Sequence, residues 1–584
     1  MKSYIILMLL VIIAYANSLQ NGFVWDDNTL IVNNPKINIP LREIPSVFAA
    51  SLWETTSFSE RQQEYYRPFV SLLYILNYKI FGLNPSGFHL TNILLHLISV
   101  IILYKIGLLL FNNDARISFI GASIFAVHPV NNEPIGRAAS GEVIFGFFII
   151  IAIYLFLTDK KYLSWIAFFF ALLSKEAAVM LPFALVILSI HRNGVKRGAV
   201  AIMPYLALAG IYLVIRMKVV DIVLGIDTSQ SQPISTRIFT MAAAAFDYIR
   251  LLIIPYPLSP FYPARWHASV FEPKVMFAIM VLISVSLLAF KIKRDGAMLF
   301  LLASPFIMLA PVIWKVNTFP VGWEFVYIAE RFLYMPTMLF SIFISASIIK
   351  LFKDRPRAYL NTGCILIVTI FAVLTIFSNR IWKNEIVLFK KITEELPNVS
   401  FAHNNLGNIY ADQGRLDEAM KEYQIAVELK PDYADARNNL GVIYFELGEL
   451  DMAVKEYESV LKFYPAHAPA HNNLGNVYYN QGNLDKAEKE YLTALRLKPD
   501  YTEAYNNLGR IYDSQQRLNE AIDKYSSALR FNPDYAIAYY NRGIAYWKKK
   551  LLSEARKDFE IALKLKPDFT EARKNIESLK RELK

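Results

Sequence analysis

The chain has one cysteine, Cys364, in 584 residues. A single thiol excludes a disulfide framework and a cysteine zinc site. The sequence contains no Walker loop, no HExxH pair and no dinucleotide glycine fingerprint, which argues against a nucleotide-sugar donor held in a soluble fold. The net charge of +11 does not mark a nucleic-acid face. Many of the basic residues fall in short clusters between apolar runs, which is the pattern of cytoplasmic loops. No nucleic-acid partner is expected.

What the chain has in excess is apolar length. It is 55% hydrophobic with a mean hydropathy of +0.30, too apolar for a soluble protein of this size. The excess lies in residues 1–380. A span needs about 20 mostly apolar residues, and the candidates are 88–111, 117–130, 143–158, 199–216, 274–291, 297–313, 332–352 and 359–377. Residues 4–19 resemble a signal peptide, but no small-x-small site follows them, so an uncleaved first helix is expected. The run 162–190 is interrupted at Ser174-Lys175-Glu176 and reads as two short spans meeting at a polar turn. The segment 238–254 fits a re-entrant or interfacial helix.

Lys2, "DKKY" (159–162), "HRNGVKR" (191–197), "KIKR" (291–294) and "KLFKDRPR" (350–357) should face the cytoplasm. Threading through them gives about eleven spans, with the N-terminus inside and the C-terminus outside. The outward loops then hold "WDDN" (25–28), "YYRPF" (65–69), "VHPVNNEPIGRAASGE" (127–142), "SKE" (174–176), "PYPLSPFYPARWH" (255–267) and "WEFVYIAERFLYMP" (323–336). One face thus collects Asp26, Asp27, Arg67, His128, Glu133, Arg137, Lys175, Glu330 and Arg331. Ionisable groups near membrane depth are expensive, so such a collection points to a site or a pathway. Plainer readings exist for each. Asp26-Asp27 can be a solvated loop or a helix cap, and His128 before Pro129 a helix-end residue. Lys175-Glu176 and Glu330-Arg331 can be local ion pairs.

From about residue 400 the sequence repeats every 34 residues, as the series Gly407, Gly441, Gly475, Gly509 and Gly543 shows. Pro431 to Pro567, Ala419 to Ala555 and Tyr423 to Phe559 keep the same step. This is the period of tetratricopeptide repeats, helix pairs stacked into a solenoid. Five repeats span 400–569, and 570–584 reads as a capping helix. The small residues let paired helices approach, the aromatic fills the space, and the proline marks the turn. Packing alone does not require Asn405, Asn439, Asn473, Asn507 and Asn541, because Asn is a mediocre helix former. Such a ladder either binds the backbone of an extended acceptor peptide or ties neighbouring helices. It resembles the peptide-binding asparagine ladder of the nucleocytoplasmic O-GlcNAc transferase.

"FVWDDNTLIVNNP" (23–35), "YYRPFVSLLYILNYKIFGLNPSGFHLTNILLHL" (65–97), "FAVHPVNNEPIGRAASGE" (125–142), "LLSKEAAVMLP" (172–182) and "ERFLYMP" (330–336) occur in this order before the repeats. With them the chain resembles the transmembrane and tetratricopeptide-repeat O-mannosyltransferase family, of the GT-C class. The resemblance implies an all-α protein: a polytopic GT-C-like domain over 1–380, a linker or first cap over 381–399, then the solenoid. It implies transfer of a sugar, such as mannose, from a polyprenyl phosphate to a Ser or Thr hydroxyl of a protein at the outer membrane face. That face is extracytoplasmic in a prokaryotic cell membrane and lumenal in the endoplasmic reticulum. A carboxylate of Asp26 or Asp27 would accept the hydroxyl proton, the other orienting the acceptor or a divalent cation. Lys175 and Arg331, with Arg67 and Arg137 in reserve, would hold the leaving lipid phosphate. Glu133 and Glu330 would hold sugar hydroxyls or orient those cations. The competing expectation is a non-enzymatic membrane scaffold presenting the repeats, although an anchor needs only one span. A lipid-linked-sugar transporter should show polar mid-span residues or internal two-fold repeats, and neither is evident.

Overall fold

The computed structural model describes residues 1–50, 52, 65–220, 232–315 and 326–582. They form two compact units, Met1–Ile392 and Thr393–Lys584.

The first unit is a helical assembly. Its helices are α1 (Lys2–Tyr15), α2 (Pro68–Phe81), α3 (Pro85–Leu110), α4 (Ala115–Ala126), α5 (Asn132–Gly136), α6 (Gly141–Leu157), α7 (Lys161–Ser174) and α8 (Leu181–Asn193). They continue as α9 (Val195–Val219), α10 (Ile234–Ile253), α11 (Pro273–Lys291), α12 (Gly296–Lys315), α13 (Tyr334–Leu351), α14 (Arg357–Ser378) and α15 (Glu385–Glu395). The apolar runs become helices because only intra-segment hydrogen bonds satisfy a backbone in hydrocarbon. Local signals set the ends: Asp114 accepts from the N–H groups of Arg116 and Ile117 to start α4, and Gly194 ends α8 with φ +77°.

Among the described residues eight helical stretches are long and apolar enough to cross a membrane, or nine if a bent pair counts as one span. Three shorter apolar helices, α2, α4 and α7, accompany them. The stretch containing α13 is the centre: 78% of its most apolar window is buried, against 11% for those containing α11 and α14. Small residues bring helices against it. A Cβ on Gly121 of α4 would lie 2.9 Å from the Ile342 backbone of α13, the close approach typical of membrane helix pairs.

The all-α expectation holds, with one addition. A two-stranded antiparallel ladder joins β1 (Tyr262–Ala264) to β2 (Val326–Ile328), with Tyr262 opposite Ile328. The interruption at 174–176 is a real break: Lys175 is extended (φ −162°, ψ 135°) between α7 and a 3-10 turn leading to α8. The 238–254 segment lies within α10 up to Ile253; this helix packs on α11 and is not among the eight candidate crossings. Residues 323–325 of the last outward loop lie outside the described residues.

The 127–142 segment, expected as an outward loop, is buried over 127–140. Several of its polar groups bond inside the protein: Asn131 donates to the Phe125 carbonyl, Asn132 to that of Pro129, and the Arg137 carbonyl accepts from Asn92. Of the 381–399 segment, expected as a linker or first cap, the part up to Ile392 belongs to the first unit. Trp382 is buried and its indole N–H donates to Asn132 Oδ1 at 2.7 Å, and Phe389 is buried in the same unit.

The second unit contains α16 (Ser400–Asp412), α17 (Leu416–Leu429), α18 (Ala434–Glu446), α19 (Leu450–Phe463), α20 (Ala468–Asn480) and α21 (Leu484–Leu497). It ends with α22 (Thr502–Ser514), α23 (Leu518–Phe531), α24 (Ala536–Lys548), α25 (Leu552–Leu565) and α26 (Thr570–Glu582). The pairs form because each repeat glycine sits beneath the ring 16 residues on: a Cβ on Gly475 would lie 2.6 Å from the Tyr491 ring. Ala572 and Leu579 of α26 are fully buried, which closes the last repeat.

Candidate active site

The loop 21–28 is held from several sides. Asn21 donates to the carbonyls of Gly136 and Asn379, and the Gly22 N–H donates to the Lys383 carbonyl at 2.9 Å. Its two carboxylates then diverge, as neighbours on an irregular backbone do. Asp27 is fully buried. It accepts from the N–H groups of Val24 at 3.0 Å, Ala138 at 3.3 Å and Ala139 at 2.8 Å. Burial pushes its carboxyl up, while Arg137 and the Val24 and Ala139 N–H groups pull it back. Asp27 therefore ties the loop to the chain entering α6. The Asp26 side chain remains 35% exposed and meets Arg137 Nη2 at 2.9 Å.

Asp26 lines a cavity of about 190 Å³ whose wall also carries Arg67, Arg137, Glu142, Lys175, Glu176 and Arg331. Residues from the first loop, the start of α2, the 137–142 turn, the 174–176 break and the chain before α13 thus meet in one place. The charges interlock. Arg67 grips Glu176 with two bonds, 2.8 and 3.1 Å. Lys175 Nζ lies 2.9 Å from Glu142 Oε1 and over the Phe332 ring at 4.9 Å. Glu133, 1% exposed, lies 2.7 Å from Arg331 Nη1, 3.5 Å from Arg137 Nη1, and accepts the Arg331 backbone N–H. Arg137 packs near the rings of Trp25 and Trp382, at 5.6 and 5.9 Å, and its Nε has no partner among the described residues.

The local-pair readings are corrected by this geometry. Lys175 and Glu176 leave an extended backbone towards different partners, Glu142 and Arg67. Glu330 and Arg331 part likewise, Arg331 going to Glu133. Glu330 does not line the cavity. It is buried and accepts from Asn132 Nδ2, the Ser259 N–H and the Tyr262 hydroxyl, so it joins the 255–264 loop to the base of α13. His128 is the helix-end residue expected, its Nδ1 accepting the Val130 N–H. Sequence reasoning missed Glu142, which nothing in its local sequence distinguishes, and passed over Glu176 as half of a local pair. Among the described residues no three of His, Cys, Asp and Glu meet in metal-binding geometry.

In the repeats, the ladder amides bond from one repeat to the next. Asn439 Nδ2 donates to Asn404 and Asn408, Asn473 to Asn438, Asn507 to Asn472 and Asn476, and Asn541 to Asn506. Asn405, in the first repeat, donates to the Phe401 carbonyl. A second periodic device was not anticipated: His403, Arg437 and His471, 34 apart, pair with Glu422, Glu456 and Glu490, each at 2.6 Å. Each also reaches back to a proline carbonyl, of Pro397, Pro431 and Pro465. A basic residue at a fixed step was the signal available for it.

The second unit matches the family descriptions "TPR repeat" over 407–448, 441–482, 475–516 and 509–550, and "Tetratricopeptide repeat" over 536–569. Along 454 residues the chain is 26% identical to the "Protein O-mannosyl-transferase F38B6.6" of Caenorhabditis elegans, covering 74% of this chain and 63% of that protein. It is 25% identical to "Protein O-mannosyl-transferase TMTC3" of Mus musculus, covering 74% and 51%, and 26% identical to "Protein O-mannosyl-transferase TMTC1" of Homo sapiens, covering 72% and 54%. The chain therefore spans about half to two thirds of the length of the curated relatives it matches. Among solved structures, that of YrrB, titled a TPR protein with an unusual peptide-binding site, is 24% identical and covers 32% of this chain and 96% of that one, with a TM-score of 0.26. Along about three quarters of its length this chain is similar to the transmembrane and tetratricopeptide-repeat protein O-mannosyl-transferases.

Proposed function

We propose that this protein is an integral-membrane glycosyltransferase that moves a sugar, mannose by analogy with its relatives, from a polyprenyl phosphate to a Ser or Thr hydroxyl of a protein. The observation that carries the reading is the cavity where Asp26, partly exposed, faces four cations, Arg67, Arg137, Lys175 and Arg331. A hydroxyl is a poor nucleophile near neutral pH, and a carboxylate within reach must take its proton. Asp26 is placed for that; Asp27 is occupied with backbone N–H groups. The acceptor oxygen bonds to the anomeric carbon as the carbon–oxygen bond to phosphate breaks, inverting that centre. The departing phosphate keeps the electron pair, and Lys175, Arg67 and Arg331 stabilise it. Their carboxylate partners hold the cations in place beforehand, so little reorganisation accompanies the reaction.

The basic clusters between spans support an extracytoplasmic position for the cavity and the repeats. There the array recruits the acceptor protein and raises its local concentration. The side-chain oxygens of Asn439, Asn507 and Asn541 remain to receive peptide N–H groups, because the ladder engages their amide hydrogens.

The test is transfer of radiolabelled mannose from polyprenyl-phosphate mannose to membrane protein. Asp26→Asn should lower transfer by about 100- to 10,000-fold at unchanged expression. Asp27→Asn should mainly lower the amount of folded protein. Equal transfer by Asp26→Asn and wild type would remove Asp26 from the chemistry. No transfer by the wild type from this donor or other lipid-linked sugars would favour the scaffold.

A further inference from the structure

Trp25, the residue before Asp26, has φ +55°. Bulky side chains rarely adopt this left-handed conformation, and it persists only where the surroundings enforce it. The enforcing groups come from the far end of the unit. Glu385 Oε1 accepts the Trp25 N–H at 3.2 Å and the Asn28 side-chain amide at 2.8 Å. The Trp25 ring meets the edge of Phe389, one turn further along α15, at 6.1 Å, and the Arg137 guanidinium lies 5.6 Å from the same ring. Just upstream, the Lys383 carbonyl takes the Gly22 N–H.

Asp26 therefore sits between two anchors. On one side Asp27 is fixed to Ala138 and Ala139; on the other, Trp25 is fixed to α15. Release of the second anchor would let Trp25 relax to negative φ, and that rotation carries the Asp26 carboxylate away from Arg137. We propose that Glu385 and Phe389 are positioning residues for the transfer reaction, holding Trp25 in its left-handed conformation so that Asp26 faces the cavity. Neither residue lines the cavity, so they act through Trp25 and not on substrate. The inference rests on the assignment of Asp26 as base, but the clamp can be tested separately.

The experiment uses the full-length protein with polyprenyl-phosphate mannose as donor, measuring kcat and donor KM beside amide hydrogen exchange of residues 22–28. Glu385→Ala should lower kcat by about 10- to 100-fold, the effect of a small misplacement of a reacting group, and leave donor KM near wild type. Exchange in 22–28 should quicken while the rest of the unit keeps its protection. Glu385→Gln keeps an acceptor oxygen and should restore most of both. Phe389→Leu should give an intermediate loss. Unchanged exchange in Glu385→Ala would overturn the clamp whatever kcat does, and so would quickened exchange with wild-type kcat in a protein that Asp26→Asn inactivates. If Asp26→Asn proves fully active, the assigned base is wrong, and the exchange data alone decide whether Glu385 holds the loop.

Discussion

Two adjacent aspartates meet different surroundings because one backbone step turns their side chains to opposite sides. The sequence set them on a loop beside other ionisable groups, and that gathering was readable from charge placement alone. Which carboxylate faces the cavity was not, since it depends on Ala138 and Ala139, more than a hundred residues away. The ion pairs were hidden for the same reason. Adjacency makes Lys175 and Glu176 look like partners, and an extended backbone at Lys175 separates them. Glycines offer a sharper residue-scale test. Gly475 lies under the Tyr491 ring, itself 1% exposed with no room to move. Gly475→Ala should cost about 1–3 kcal/mol by overpacking, seen as a lower denaturation midpoint for the repeats. Gly363→Ala in α14, where a Cβ meets nothing within 4 Å, should be neutral or mildly stabilising.

Among the elements, the repeats were the most legible, because each is one local helix pair and the period shows the pairing directly. Their turns differ in a way that can be exploited. Gly414, Gly448 and Gly482 occupy left-handed turns with φ +71° to +79°, whereas Gln516 and Lys550 hold the equivalent places at +61° and +63°. A left-handed non-glycine residue costs about 1–2 kcal/mol, and replacement by glycine returns part of that as unfolded-state freedom. Gln516→Gly and Lys550→Gly should each raise the melting temperature slightly. The His471 clamp gives a pH dependence. Its hydrogen bond to Glu490 raises the imidazole above its ordinary value, with help from the Pro465 carbonyl and against burial and Arg496. A raised folded-state value means the folded repeats bind the proton more tightly than the unfolded chain does. That stability is present in acid, below the ordinary value of about 6.5, and is lost as pH rises through the raised value. Urea unfolding of the repeats should show the slope in the wild type and lose it in His471→Gln.

At the scale of the whole chain, hydropathy located the apolar half and period the solenoid, but neither located the seam between them. Apolar runs stop near 380, where a membrane-minded reading ends the first unit. The structure carries that unit to Ile392, because Trp382 and Phe389 are buried within it. Short polar stretches that anchor to distant loops carry no hydropathy signal. A protein ending after Ile392 should purify from detergent as a monodisperse, cooperatively unfolding species. One ending after Arg380 loses buried contacts and should aggregate or melt at lower temperature.

The left-handed Trp25 has a consequence for how such a protein can be dissected and varied. A residue held by a helix that leads straight into the repeats makes the first and last segments of the membrane half a matched set. Grafting a different array at residue 380 would exchange the keeper of the N-terminal loop along with the array. A chimaera joined after 392 keeps loop and keeper from one parent, and that junction allows arrays to be traded while the cavity stays as it is.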